Sequence, residues 1–141
     1  MVKIDKYWKF DVESFIADYP ENKKTLQDKK NALAELSETK AMQYDSPSGS
    51  GGPGDSTASA AERVIFLKEE IDIYTHFVNT YEKAENELTD EEKLIINTFF
   101  HDAGMKSSKV RFLSNELNYE VAEIYRRRRL AIEHFRKLLD V

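Results

Sequence analysis

Apolar residues recur along this chain at three- and four-residue steps in several separate stretches, and nowhere alternate over the length of a strand. That periodicity predicts an all-α protein. The first stretch, residues 11–18, is short. Pro20 follows where the first position of a helix belongs, and opens a polar helix to about Lys40. Its apolar residues Leu26, Ala32, Leu33 and Leu36 form a thin stripe. Ser59 and Glu62 then have the spacing of a capping box, ahead of a long helix carrying Val64, Leu67, Ile71, Tyr74, Phe77, Val78 and Tyr81.

Between these two helices, Tyr44 to Ser56 holds four of the five glycines and two of the three prolines, and predicts a flexible linker over about residues 43–58. Two long amphipathic helices joined in this way predict an antiparallel hairpin. The stripe on the second helix is the richer one. It serves either as the core of one copy or as a surface on which copies associate, so a homo-oligomer through the long helices is one expectation.

The last third is more strongly patterned. Thr89 and Glu92 again have capping-box spacing, and Leu94, Ile95, Ile96, Phe99 and Phe100 give an apolar helix expected to stop near Gly104. A second helix is expected from Ser107 or Ser108 to Leu117, with Val110, Leu113 and Leu117 inward. Asn118 and Tyr119 mark a break, because Asn tolerates the left-handed conformation of a tight turn. A third helix runs from about Glu120 to Leu139. Residues 1–87 are thus expected to form a hairpin and oligomerisation region, and residues 88–141 a helix-turn-helix module.

The third helix divides into two faces. Val121, Ile124, Ala131, Ile132, Phe135, Leu138 and Leu139 share the core side, and Ala122, Glu123, Arg126, Arg129, Glu133 and Lys137 the outer side. Charge changes how that outer side is read. The chain as a whole carries −5, yet Met105 to Val141 holds nine basic and five acidic residues, a net of +4, against −9 for the remainder. A basic end on an acidic body points to double-stranded DNA.

Recognition helices meet bases with their N-terminal residues. Ala122, Glu123, Tyr125 and Arg126 are therefore the candidate base readers, with Arg126 facing guanine and Glu123 accepting from cytosine. Lys106, Ser107, Ser108 and Lys109 at the start of the preceding helix, with Arg127 and Arg129, are the candidates for the DNA backbone. Arg128 falls on the core stripe, where its stem is expected to pack and its head to reach the backbone or an acidic partner. Leu130 points outward among polar residues.

Other chemistries find little support. There is no cysteine, and His76, His101 and His134 lack ligand spacing, so no metal is expected. There is no phosphate-binding glycine loop and no nucleophile arrangement, so neither an enzyme nor a cofactor is expected. No run is long and apolar enough for a membrane span, and Met1 to Phe10 lacks the apolar core of a signal peptide. The expected setting is cytoplasmic.

Glu87-Leu-Thr-Asp-Glu-Glu-Lys-Leu-Ile-Ile96, Leu113-Ser-Asn-Glu-Leu-Asn-Tyr119 and Ile124-Tyr-Arg-Arg-Arg-Arg129 with Ala131-Ile132 resemble region 4 of sigma factors. With Asp18-Tyr19-Pro20 opening a polar helix and a Ser/Gly/Asp/Pro linker before a second long helix, most of the chain is similar to phage late-gene activators of the RinA and ArpU type. It departs from their pattern at Arg127 and Arg128, where an apolar residue is usual, and at Asn118, where Gly is frequent. The resemblance implies a sequence-specific transcriptional regulator, activating a phage or prophage packaging or lysis operon in a bacterial host, with RNA polymerase as a further partner. A small terminase-like packaging subunit, and a regulator that captures another protein through its hairpin, are the competing expectations.

Overall fold

A computed structural model describes residues 11–45 and 54–140, with the side chains of 11–36 and 60–140. Every regular element among them is helical: α1, Val12–Asp45; α2, Gly54–Asn86; α3, Asp90–Ile96, which continues as a π-helical turn over Asn97–His101; α4, Lys106–Leu117; and α5, Val121–Leu138.

The helices fall into two compact units. One spans Glu21–Phe77. The other takes the start of α1 up to Pro20 together with Val78–Val141. The division between the units falls inside α1 and α2, where no composition shift marks it.

In the first unit, Leu26 and Phe77 are buried, Asn22 is a buried polar residue, and Lys29 pairs with Glu70 at 3.1 Å. Ile65, Phe66 and Ile73 of α2 stay exposed. The expected linker is shorter than about 43–58, since α1 reaches Asp45 and α2 begins at Gly54. Residues 46–53 lie outside the described residues. Ser59 falls inside α2 and does not begin it. Ala58, Ala60 and Ala61 carry the helix back past it.

In the second unit, Asp11 caps α1. Its carboxylate accepts from the Ser14 amide at 3.1 Å and the Ser14 hydroxyl at 2.7 Å, and those bonds hold its pKa below the usual value. Thr89 and Glu92 form the expected capping box on α3. Ile95, Val110, Leu113 and Ile124 pack as one buried cluster from α3, α4 and α5. Phe15, Tyr81 and Phe135 form a second one, with ring centroids 5.1–6.5 Å apart. Asn118 takes φ 58° and ψ 41° between α4 and α5, the left-handed turn expected of it.

Two expectations fail locally. Val121 is 51% exposed, because it is the first residue of α5 and nothing covers it there. Gly104 does not close α3. The π-helical turn ends at His101, where the Asp102 amide bonds back to the Asn97 carbonyl, and Gly104 with φ 124° sits in the connection to α4.

Pro20 overturns a larger expectation. It does not start a helix but lies inside α1, which runs through it. A proline in a helix interior has no N–H for the carbonyl four residues earlier. That carbonyl belongs to Ile16, and it accepts from His101 Nε2 at 2.7 Å. The donor stands on the π-helical turn, whose wider winding brings an additional residue into play.

His101→Phe should leave the Ile16 carbonyl buried and unpaired, costing about 1–3 kcal/mol in urea denaturation. In a Pro20→Ala background, residue 20 supplies the missing N–H. The same histidine substitution should then cost less, by on the order of 1 kcal/mol. Strictly additive costs in this double-mutant cycle would contradict the compensation.

Candidate nucleic-acid interface

α5 presents its outer residues directly after the Asn118 turn. Its N-cap, Glu120, is extended and makes no side-chain capping bond. Ile124, Ala131 and Phe135 are fully buried, which fixes the rotation of the helix. Ala122, Arg126 and Arg129 are exposed in consequence, and Glu123 and Arg127 lie at the margin of the packed face.

Glu123 is the centre of an ion-pair network. Arg126 donates to it through Nε at 2.9 Å and Nη2 at 2.7 Å. Arg127 donates to it through Nε at 2.9 Å and, through Nη1, to Glu91 at 2.8 Å. The Arg127 guanidinium also lies 4.0 Å from the Tyr119 ring centroid, and the Tyr119 hydroxyl donates to Glu91 at 2.9 Å. Glu91 in the first turn of α3 thus holds both the residue after the turn and the second arginine of α5. The hydrogen bonds and charge of Arg126, then of Arg127, keep the Glu123 carboxyl below its ordinary pKa.

Arg128 is held differently. Its guanidinium lies 5.1 Å from the Phe99 ring and 5.2 Å from the Phe100 ring, and donates to Glu13 at 2.8 Å. Further along α5, His134 Nδ1 lies 2.8 Å from a Glu92 carboxylate oxygen, so Glu92 serves both the α3 cap and α5.

The expected site residues therefore divide. Glu123, Arg126 and Arg127 are brought together. Tyr125 is half-buried against the Ile95 cluster, with Lys106 Nζ 5.2 Å above its ring. Lys109 donates to the Phe99 carbonyl at 3.0 Å, one of the carbonyls freed at the end of a helix. Lys106, Ser107 and Ser108 are exposed at the first turn of α4, which starts at Lys106, one residue before the expected start. Arg129 is exposed and makes no ion pair among the described residues.

The pairings of Glu91, Tyr119 and Glu13 are not legible in the sequence, since these hydrogen bonds join residues 28 or more positions apart. Arg111, exposed on α4, was also missed and adds to its basic character.

Among the described residues, no three His, Cys, Asp or Glu side chains gather as a metal site, and no helix is long and apolar enough to cross a membrane. No family model, curated protein or solved structure matches this chain.

Two outcomes are expected of the network. Arg127→Ala should lower the melting temperature by clearly more than Arg129→Ala, because it strips partners from Glu91, Glu123 and Tyr119 together; equal shifts would count against the network. Carbon-13 NMR titration should find the Glu123 carboxyl midpoint below that of an ordinary Glu, and rising towards it in Arg126→Ala. The sign follows from linkage. A depressed carboxyl adds stability above its unfolded pKa of about 4.3, and loses it as pH falls through the folded value.

Proposed function

We propose that this protein binds double-stranded DNA through α5 and regulates transcription from the site it occupies. One observation carries the reading. Immediately after a left-handed turn, α5 holds Ala122, Arg126 and Arg129 exposed on the side away from its buried residues. That is where a recognition helix carries its readers. The first turn of α4 adds Lys106, Ser107 and Ser108, exposed on a helix N-terminus without a side-chain cap, which suits a phosphate.

On this reading α4, the turn and α5 act as a helix-turn-helix of the sigma region 4 kind. Arg126 meets a base edge, and Arg129 with Lys106 and the two serines meets phosphates. Arg127 and Lys109 act chiefly inside the protein, and Tyr125 supports Lys106. The long helices form a hairpin. The resemblance of most of the chain to phage late-gene activators favours activation of a packaging or lysis operon in the bacterial cytoplasm, with RNA polymerase as a second partner.

Exposed Ile65, Phe66 and Ile73 on α2 favour one competing reading, a packaging subunit that assembles into a ring. Mass in solution separates the two, because a large ring supports packaging and a monomer or dimer supports regulation.

Binding to a pool of random duplexes should fall steeply with salt. Arg129→Ala should weaken all sequences alike and reduce the log–log salt slope by about 1, whereas Arg126→Ala should relax preference at one base pair. Unchanged binding by both variants would remove α5 from the interface.

A further inference from the structure

Glu123 stands on the outer face of α5 next to Arg126, and as an isolated residue it reads as an acceptor for cytosine. Its surroundings assign it another task. A carboxylate offers about four lone-pair positions. Arg126 Nη2 and Arg127 Nε both donate to Oε1, and Arg126 Nε donates to Oε2. Three of the four are thus taken by the protein's own arginines. Its side chain is also the less accessible of the pair, 30% against 53% for Arg126.

The same bonds set the direction of Arg126. A guanidinium presents a side edge, Nε with Nη2, and an end edge, Nη1 with Nη2. Glu123 occupies the side edge, and no partner of Nη1 is found among the described residues. The end edge is left free, and two parallel N–H donors there match the O6 and N7 acceptors of guanine in the major groove. The carboxylate is itself held by Arg127, which donates to the same Oε1 and which Glu91 and the Tyr119 ring secure. Fixing the fork in advance removes rotamer freedom that binding otherwise has to remove.

We infer that Glu123 is a specificity-determining positioning residue: it holds Arg126 end-on toward the Hoogsteen edge of a guanine, and does not read a base itself. This rests on the DNA reading above. The acid also lowers the charge of the face, so it weakens attraction to DNA in general while sharpening preference at one position.

The test is selection from a random duplex library with the full-length chain, its Arg126→Ala variant and its Glu123→Gln variant. Gln is nearly isosteric and keeps the position polar, and circular dichroism melting establishes that each variant is folded. The parent should enrich guanine at one position by about tenfold or more. Arg126→Ala should lose that preference. Glu123→Gln should lose most of it at the same position, while its affinity for unselected duplex rises.

Loss instead of a cytosine preference at another position in Glu123→Gln, with guanine retained, would make Glu123 a reader and overturn the inference while leaving the DNA reading intact. An unchanged profile in Glu123→Gln would overturn it equally. A parent that enriches nothing defeats the DNA reading and the inference with it. The DNA-free protein gives a second readout: the Arg126 Nε–H NMR signal should shift and exchange faster in Glu123→Gln, and an unaltered signal would mean that the pair does not form in solution.

Discussion

Successive residues of an α-helix project about 100° apart, so four in a row point around nearly the whole circumference. A helix that buries one face cannot carry Arg126-Arg127-Arg128-Arg129 without turning one guanidinium inward and one along its margin. Most of what surrounds α5 answers that constraint. Arg128 falls on the line of Ile124, Ala131 and Phe135, and the protein meets it with two aromatic rings and Glu13. Arg127 falls on the margin and is met by Glu91, Glu123 and the Tyr119 ring. Only Arg126 and Arg129 are left facing outward, and of these only Arg129 lacks an ion-pair partner among the described residues.

The π-helical turn belongs to the same solution. Wider winding at Asn97–His101 follows directly on a regular helix and alters where the next side chains emerge. Phe99 and Phe100 both come within about 5 Å of the Arg128 guanidinium, and His101 reaches the carbonyl that Pro20 leaves unpaired. One local irregularity thus serves two others, a half-buried arginine and an interior proline. Without His101, the carbonyl that Pro20 leaves unpaired would lack a partner in a region that excludes water.

The helical class, the Thr89 and Glu92 capping box, the left-handed Asn118 and the buried residues of α3 and α4 were legible because each depends on neighbours within a turn or two. Pro20 was misread for the same reason. Its local preference favours a helix start, and the donor that lets it sit inside α1 is 85 residues away from the carbonyl it serves. The Ser59 box misled likewise, since the alanines around it extend the helix beyond a signal that only permits a start. At the candidate interface, the faces of α5 follow from periodicity, and Arg128 could be placed inward by counting. The partners of Arg126 and Arg127 could not. Counting puts Arg126 outward and Arg127 on a flank, but that Arg127 is tied inside the protein depends on Glu91, 36 positions away on another helix.

These pairings also change what the basic end of the chain amounts to. The +4 of residues 105–141 is counted without acids from elsewhere, yet Glu13, Glu91 and Glu92 all reach α5 from α1 and α3. Two of the four consecutive arginines are neutralised by carboxylates from outside that segment, and Arg126 is paired within it. The charge left free is therefore more dispersed than the run of arginines implies: Arg129 and Lys137 on α5, and Lys106 with Arg111 on α4, all exposed. Such a surface attracts a polyanion through a few separated contacts and not through one dense patch. On the proposed DNA-binding reading, selectivity then depends on the orientation of the few side chains that are held in place, rather than on the amount of charge.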